Sequence, residues 1–568
     1  MSAKQHPLGH FCHRLASHPY LCVIVACGLL LPFGLCQKVN ITLGGLIYAL
    51  VVIAVILAVL VFLGGIGSTM KKKLTVLAVG TLFGALSLFL FVETGLSSAV
   101  IFFMPLIMTA SLMLYMKIKG VLSTRNFIML MVLMGIVLRF VYILYTTSDV
   151  RQQDVGYWVS EWGHANYIEY WYNNGLKLPD FDVRDIWQYY HPPLHHWIMA
   201  ALLRVFTFYG MDYLVACQAL QILPLLYSSL IMVVCYRLFR FVMLDGTPLI
   251  VAMAFVCFHP TLVLMASYFN NDILSVLFML SAMLWALRWY RAPRFRILLP
   301  VALCVGLGMM TKLSAWMVAP AIAALFLYVF IREVVRSERK GRTIGSFLWQ
   351  FLVFGLICIP PALWWQVRNL LLFDVPLTYV PVIGEDSDQY LGNLSVWQRF
   401  FDFSGQQLTY VFNAFENLGA PYNDSNIFLG TIKSSLFGEG QQCISTLYFP
   451  QLAVIGPVLF WIAVPTYLML FSSFFIALFR KRAPWDLVTR GFFGITFMVM
   501  LVSYISFCFA YPYTCTMHIR YIVPLIPLSA MGLGIVLRTT RHRATRYIAY
   551  ALTGAFCSAS AVLFIMIG

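Results

Sequence analysis

Residues 193–209, with the sequence PLHHWIMAALLRVFTFY, form an apolar run whose placement decides the topology of the whole chain. The run approaches the roughly 20 apolar residues that a transmembrane helix needs. If it crossed the membrane, Arg237, Arg240 and every later basic loop would lie on the opposite side from the earlier basic loops. We therefore predict an interfacial or re-entrant helix with both ends on the external side, where its paired histidines and Arg204 are better tolerated than in hydrocarbon.

The composition around this run is that of a polytopic membrane protein. Of the 568 residues, 61% are hydrophobic and 11% are charged, whereas a soluble domain has roughly 25% charged residues. We therefore exclude a soluble protein and predict an all-α polytopic fold of about fifteen transmembrane helices, with external juxtamembrane helices. The charge-poor apolar stretches lie at 20–36, 43–63, 74–92, 98–116, 127–146, 213–236, 248–266, 273–287, 297–311, 313–331, 347–366, 452–479, 491–511, 521–537 and 547–567.

The basic residues indicate which loops share a side of the membrane. Loops on one side hold most of the 38 Lys and Arg residues and few of the 22 Asp and Glu residues. The positive-inside rule makes this side cytoplasmic, together with the N-terminus, and leaves two long external segments at 147–212 and 367–451. The net charge of +16 therefore reflects orientation and contact with membrane lipids, and we expect no nucleic-acid partner.

Four regions follow from this topology. Residues 1–124 are predicted to be an N-terminal extension of four transmembrane helices, and residues 125–366 a transmembrane core that contains the first external loop, 147–212. Residues 367–451 form a large external loop, and residues 452–568 the C-terminal transmembrane helices. We favour the plasma membrane over the endoplasmic reticulum.

Acidic residues of the first external segment are the first candidates for chemistry. Asp154 closely follows a span, where its carboxylate is held near the bilayer surface and can meet a lipid-linked substrate. Glu161 shares one face of an amphipathic helix with Tyr157 and His164. The alternative is that the carboxylates of this segment are solvated and have no functional role. We accept this interpretation for most of them.

A second polar patch, Ser267-Tyr268-Phe269-Asn270-Asn271-Asp272, separates two spans on the external side. Asn271 or Asp272 could cap the following helix. Carboxylates near membrane depth are also functional candidates. The cap and the functional role are compatible, and both stay open.

Three isolated cations, Lys312, Arg368 and Arg520, stand at external helix ends. The commonest fate of such residues is to snorkel to lipid headgroups. All three nevertheless share a side with Asp154 and Asp272. Because Arg offers a bidentate fork and Lys a point charge, this arrangement favours binding of a phosphate or pyrophosphate.

Histidines raise the question of a metal. His191 and His195 are four residues apart, but Pro192 and Pro193 place His191 before the helix, and no standard zinc spacing is present. We assign no metal ligands. A divalent cation, Mg²⁺ or Mn²⁺, bridging carboxylates and a substrate phosphate stays open as a cofactor.

In their order along the chain, these motifs resemble the GT-C membrane glycosyltransferases, and most closely the protein O-mannosyltransferase and lipid A aminoarabinose transferase group. The resemblance covers about residues 125–540 and leaves out the first four spans. Its motifs are the external Asp154, Tyr190-His191-Pro192-Pro193-Leu194, Asn271-Asp272, Lys312, Trp365-Gln366-Val367-Arg368-Asn369 and Arg520-Tyr521-Ile522-Val523-Pro524.

The resemblance implies a GT-C fold, a polyprenyl-phosphate-linked sugar as donor, and an active site on the external face. It places Asp154 at the catalytic centre and makes Asp272 the second acidic residue. Further substrate-binding candidates are Lys312, Arg368 and Arg520 toward the phosphate, with His191, Glu161 and Asn271. Two departures leave the sugar and the acceptor open: Val155 follows Asp154 where the family has Glu, and His191 replaces a Lys that the aminoarabinose group often has.

Three functions are compatible with these features. The leading one is an inverting glycosyl transfer in which Asp154 is the general base and the cations stabilise the departing phosphate. A transporter or flippase of a lipid-linked anion predicts ionisable residues inside spans and two related halves, yet Arg139 is the one such residue clearly within a span. A polymerase or ligase of lipid-linked glycans is the third.

Overall fold

The computed structural model describes residues 98–567, apart from 119, 121, 147, 149, 157, 159–161, 209, 243, 417–419 and 440–448. In this part of the chain the backbone is helical, and the β pairing consists of one isolated bridge between Tyr390 and Tyr513. The predicted all-α class is therefore confirmed. The first three predicted spans, and with them most of the region 1–124, lie outside the described residues.

The helices follow the predicted apolar stretches closely. Eight helical segments of the described chain are long and apolar enough to cross a membrane, as expected of an integral multi-pass protein, and the total of fifteen spans stays a prediction. The helices are α1 Ser98–Ile118, α2 Thr124–Leu144, α3 Gly163–Asn174, α4 Leu194–Phe208, α5 Tyr213–Ala219, α6 Ile222–Phe241, α7 Gly246–Phe258, α8 Pro260–Leu264, α9 Asp272–Arg291, α10 Phe295–Thr311, α11 Ala319–Arg336, α12 Lys340–Phe373, α13 Val396–Phe401, α14 Gly405–Thr409, α15 Ile427–Phe437, α16 Ile455–Phe479, α17 Leu487–Ala510, α18 Leu525–Thr539 and α19 Arg543–Met566. Short 3₁₀ turns lie at Leu313–Val318, Pro450–Ala453, Thr514–Thr516 and Ile519–Tyr521.

Helix α4, the run that decides the topology, packs against α3 of the first external segment. At its beginning, the ring of His195 lies 2.8 Å from the carbonyl oxygen of Phe269, which precedes α9. Near its end, Arg204 donates to the carbonyl oxygen of Tyr172 at 2.9 Å. Both ends therefore contact segments that the topology places on the external side, which supports a helix that does not cross.

Arg139, the cation inside span α2, is completely buried and makes hydrogen bonds to neighbouring helices. Its guanidinium donates to Ser228 Oγ at 2.7 Å and to the carbonyl oxygens of Cys257 and Val256 at 2.6 and 3.0 Å. Pro260, at the start of α8, has no N–H to continue the hydrogen-bond ladder of α7. Arg139 thus satisfies carbonyl groups that the break between α7 and α8 leaves without helical partners.

Small residues allow the spans of the bundle to approach closely. A Cβ atom on Gly532 of α18 would lie 2.5 Å from Cα of Phe474 in α16, and one on Gly306 of α10 would lie 2.9 Å from the carbonyl oxygen of Cys358 in α12. Close contact between apolar helices is how membrane bundles gain packing energy, since burial from water contributes little there. The bundle thereby holds one end each of α9, α10, α12 and α17 around one site.

Candidate active site

A cavity of about 440 Å³ lies where the helix ends that the sequence predicts to be external meet the segment 147–212. Five of the residues predicted from sequence line it: Asp154, His191, Asp272, Lys312 and Arg520. Its walls also include His164, Tyr190, Gln366, Asn369, Tyr379 and Tyr521. Folding therefore gathers side chains that are as much as 366 positions apart in the sequence.

Asp154 and Arg520 form the first ion pair of the cavity. Arg520 Nη1 donates to Asp154 Oδ2, and Arg520 Nη2 donates to the Tyr521 hydroxyl group at 3.1 Å. The Asp154 side chain is 36% exposed. Although burial acts to raise its pKa, the guanidinium of Arg520 outweighs burial and holds the pKa of Asp154 below its usual range. The carboxylate is therefore ionised at neutral pH and can accept a proton.

The backbone fixes Asp154 in an unusual conformation. Its φ is +56°, in the left-handed region that Asp tolerates better than most residues. The carbonyl oxygens of Asp154 and Val155 accept hydrogen bonds from the N–H groups of His164 and Ala165, at 3.2 and 2.9 Å. These bonds tie Asp154 to the first turn of α3 and also occupy two N–H groups of that turn, which have no partner within the helix.

Asp272 and Lys312 form the second ion pair. Asp272 is the first residue of α9, and Lys312 directly follows the last residue of α10. Lys312 Nζ donates to Asp272 Oδ1, and it lies 5.5 Å from the centre of the Tyr521 ring. Asp272 is only 4% exposed, so Lys312 compensates a carboxylate that has almost no water. A cation at a helix C-terminus and a carboxylate at a helix N-terminus also both match the helix dipoles.

Asn271 supports this pair from behind the cavity wall. Its Nδ2 donates to the carbonyl oxygen of Thr311 at 2.8 Å, and its side chain makes no capping bond to α9. The capping role left open for Asn271 is therefore not seen. Instead, the bond joins the residue before Asp272 to the residue before Lys312, which positions both partners.

His191 stands in a group of buried imidazoles. Its ring stacks on that of His164 with centroids 5.5 Å apart, and His164 Nδ1 lies 2.8 Å from His196 Nε2. Burial, assisted by the positive charge of Lys312, lowers the pKa values of His164 and His191 well below the usual range. These rings are therefore neutral at physiological pH, and they form a polar wall without adding charge.

Arg368, also predicted from the sequence, does not line the cavity. Arg368 donates to the carbonyl oxygen of Pro179 and, at 2.7 Å, to Asn369 Oδ1, and its guanidinium lies 5.1 Å from the centre of the Trp365 ring. Its neighbours Gln366 and Asn369 line the cavity in its place. Glu161 lies outside the described residues.

Glu439 is a buried acidic residue that sequence reasoning missed. It follows α15 in the second external segment, is 3% exposed, and its Oε2 accepts from Gln153 Nε2 at 3.4 Å. Burial raises its pKa to about 8. In the sequence it is one carboxylate among several in a long loop, and nothing local distinguishes it.

The side chains offer little to a resident metal ion. In the described part of the chain, no group of three or more His, Cys, Asp or Glu residues is placed to hold one. Asp154 and Asp272 each pair with a cation. We therefore derive no step through the divalent cation that the sequence left open.

Comparisons with known proteins bear on residues 190–365, which match the family model of dolichyl-phosphate-mannose-protein mannosyltransferases. No curated protein gives a significant match. Among solved structures, ArnT from Cupriavidus metallidurans in the apo state is 14% identical with a TM-score of 0.43, and the match covers 78% of this chain and 76% of that chain. The same protein bound to undecaprenyl phosphate is 14% identical with a TM-score of 0.42, and the match covers 78% of this chain and 77% of that chain. A third solved structure is archaeal oligosaccharyltransferase AglB from Archaeoglobus fulgidus in complex with an inhibitory peptide and a dolichol-phosphate. It is 13% identical with a TM-score of 0.41, and the match covers 78% of this chain and 56% of that chain.

The matched segment begins at Tyr190-His191 and contains both members of the Asp272–Lys312 pair. It therefore covers one part of the cavity wall as well as spans of the bundle. The match agrees with the resemblance predicted from these motifs: residues 190–365 are similar to the protein O-mannosyltransferase family.

Proposed function

We propose that this protein transfers a sugar from a polyprenyl-phosphate donor to an acceptor at the external membrane face. The observation that carries the proposal is that two ion pairs, Asp154–Arg520 and Asp272–Lys312, line one cavity. The family match supports glycosyl transfer. The nature of the donor, the acceptor and the inverting course are parts of the proposal.

One apolar wall of the cavity suits a lipid-linked donor. It is built from side chains of the 3₁₀ turn Leu313–Val318 and from the external end of α17, and it directly adjoins Lys312 and Arg520. A phosphate held by these two cations would leave its polyprenyl chain against this wall. The side chains are Leu313, Trp316, Met317, Tyr504, Phe507 and Tyr511.

The two cations would attract the donor phosphate and stabilise the charge that develops on it. Fixed charges act strongly in such a site because the low local dielectric screens them little. When the phosphate takes up hydrogen bonds of Arg520, the carboxylate of Asp154 becomes free to accept a proton. The guanidinium thus holds the base in place before the donor binds and contacts the leaving group afterwards.

The chemical step is a single displacement. The acceptor oxygen forms a bond to the anomeric carbon while the bond between that carbon and the phosphate oxygen breaks. The acceptor proton passes to Asp154, and polyprenyl phosphate leaves with the electron pair. Attack from the face opposite the phosphate inverts the anomeric configuration.

The large external loop 367–451 is the proposed acceptor platform. One of its residues, Tyr379, lines the cavity next to Tyr190. Its carboxylates and an exposed tryptophan offer contacts to a lipid, glycan or protein acceptor. They are Asp374, Glu385, Asp386, Asp388 and Trp397.

The deciding experiment measures release of polyprenyl phosphate from defined polyprenyl-phosphate sugars by mass spectrometry. We expect Asp154→Asn to lower the rate by about 10² to 10⁴, the contribution of a general base. Asp180→Asn removes an exposed carboxylate of the same external segment and should leave the rate unchanged. Unimpaired turnover by Asp154→Asn excludes the proposed base, and lipid movement across vesicles without covalent transfer favours the flippase.

A further inference from the structure

A buried carboxyl group lies beside the Asp154–Arg520 pair without belonging to it. Glu439 approaches from the second external segment, and one of its oxygens, Oε2, faces two partners. It accepts a hydrogen bond from Gln153 Nε2 at 3.4 Å and lies 3.6 Å from His518 Nε2. With 3% exposure, the side chain has no access to bulk water.

Both partners are sequence neighbours of the paired residues. Gln153 directly precedes Asp154, and its side chain reaches back to Glu439. His518 lies two residues before Arg520, and its Nδ1 accepts a hydrogen bond from the Arg520 backbone N–H at 3.0 Å. An accepting Nδ1 in a neutral ring places the proton on Nε2, which is the atom that faces Glu439.

We propose that Glu439 is a positioning residue whose carboxyl group holds Gln153 and His518 together, so that the two segments carrying Asp154 and Arg520 meet in the cavity. The inference rests on the proposed glycosyl transfer, because that reaction depends on the geometry of the Asp154–Arg520 pair. Glu439 does not line the cavity and acts through its two partners.

The protonation state of Glu439 decides whether it supports the pair or competes with it. Burial raises its pKa to about 8, although Arg520 acts in the opposite direction. The carboxyl group is therefore neutral at pH 7, and above about pH 8 it becomes a second anion beside Arg520. The titratable and charged groups that face it are Asp154, Tyr268, Cys515, His518, Arg520 and Tyr521.

Two substitutions separate the contacts of Glu439 from its charge. Glu439→Gln keeps an oxygen for both partners and cannot ionise, so we expect kcat within about twofold of wild type at pH 7 and no decline attributable to Glu439 above about pH 8. Glu439→Ala removes both contacts, and a misplaced pair should lower kcat by about 10- to 100-fold with little change in KM. Glu416→Gln, an exposed carboxylate of the same segment, is the matched control.

Two kinetic outcomes would overturn the proposal. One is a kcat of Glu439→Ala within about twofold of wild type, since the contacts would then be dispensable. The other is equal impairment of Glu439→Gln and Glu439→Ala at pH 7, since the proton, and not the position, would then be needed.

Thermal unfolding of the full chain in detergent tests the inference without any transfer assay. The pKa of Glu439 is raised from 4.5 to about 8 on folding, so the wild type loses stability as the pH rises between these values, whereas Glu439→Gln does not. The unfolding temperature of Glu439→Gln should therefore rise relative to wild type across this range, and a constant difference would contradict a buried, neutral Glu439. If the wild type transfers no sugar, the proposed function fails. The comparison of unfolding temperatures still decides whether Glu439 is buried and neutral in the folded protein.

Discussion

At the scale of single residues, the site consists of charges that compensate one another. Asp154 pairs with Arg520 and Asp272 with Lys312, so that each of these carboxylates contacts a group of opposite charge. An unpaired charge there would cost several kcal/mol. Both pairs also leave each cation facing open space, where a substrate phosphate can replace or join the carboxylate.

The pH dependence of transfer should report on Arg520. Burial raises and Arg520 lowers the pKa of Asp154, with a net lowering, so activity should persist until the pH falls through that lowered pKa. In Arg520→Gln, burial loses its strongest opponent and only the weaker effects of His164 and Lys312 remain. The acid limb of the pH–rate profile should therefore move up by about 1 to 3 pH units while kcat falls. Arg184→Gln, which removes an exposed external arginine, is the control. An unmoved acid limb would mean that Asp154 is not the group that titrates.

At the scale of elements, helix ends bring the site together. Asp272 begins α9, Lys312 follows α10, and Arg520 lies in the short connection between α17 and α18. The polar residues of a span accumulate at its ends because hydrocarbon excludes them from the middle. For that reason the sequence indicated five residues of the cavity lining once the spans were known.

The placement of α4 can be tested by cysteine labelling from the outside. We expect a membrane-impermeant maleimide to reach Asp180→Cys, before α4, and Met211→Cys, just after it, because both ends of the helix contact segments that are predicted to be external. Arg339→Cys, in a predicted cytoplasmic loop, should react only after permeabilisation, and the parent chain gives the background of native cysteines. Labelling of Met211→Cys from the cytoplasmic side alone would make α4 a crossing helix and reverse the topology after it.

At the scale of the whole molecule, the distribution of charge separates an enzyme from a transporter. Arg139, within the described span α2, donates hydrogen bonds to backbone carbonyl oxygens and a serine of neighbouring helices. It therefore stabilises helix packing and does not indicate a transport pathway through the membrane. The residues suited to chemistry lie together at one end of the bundle. This arrangement is typical of a reaction at the membrane surface.

The same arrangement yields a prediction about metal dependence. Because Arg520 and Lys312 already supply positive charge to the cavity, we expect transfer to persist in EDTA at near the untreated rate. The measurement is donor turnover before and after chelation, with added Ca²⁺ and EDTA together as the control for chelation itself. Loss of activity that Mg²⁺ or Mn²⁺ restores would instead establish the divalent cation that the sequence left open.

The sequence by itself determined the all-α membrane class, the positions of the apolar spans that the structure describes and five residues of the cavity. The reason is that hydrophobic length and loop charge are local properties on which membrane insertion depends directly. Only the tertiary structure paired the charged residues of the cavity, turned Arg368 and Asn271 to supporting contacts and brought Glu439 to Gln153 and His518. The physical reason is that a buried ionisable group is stabilised by partners distant in sequence, and which partners meet is decided by the packing of the bundle.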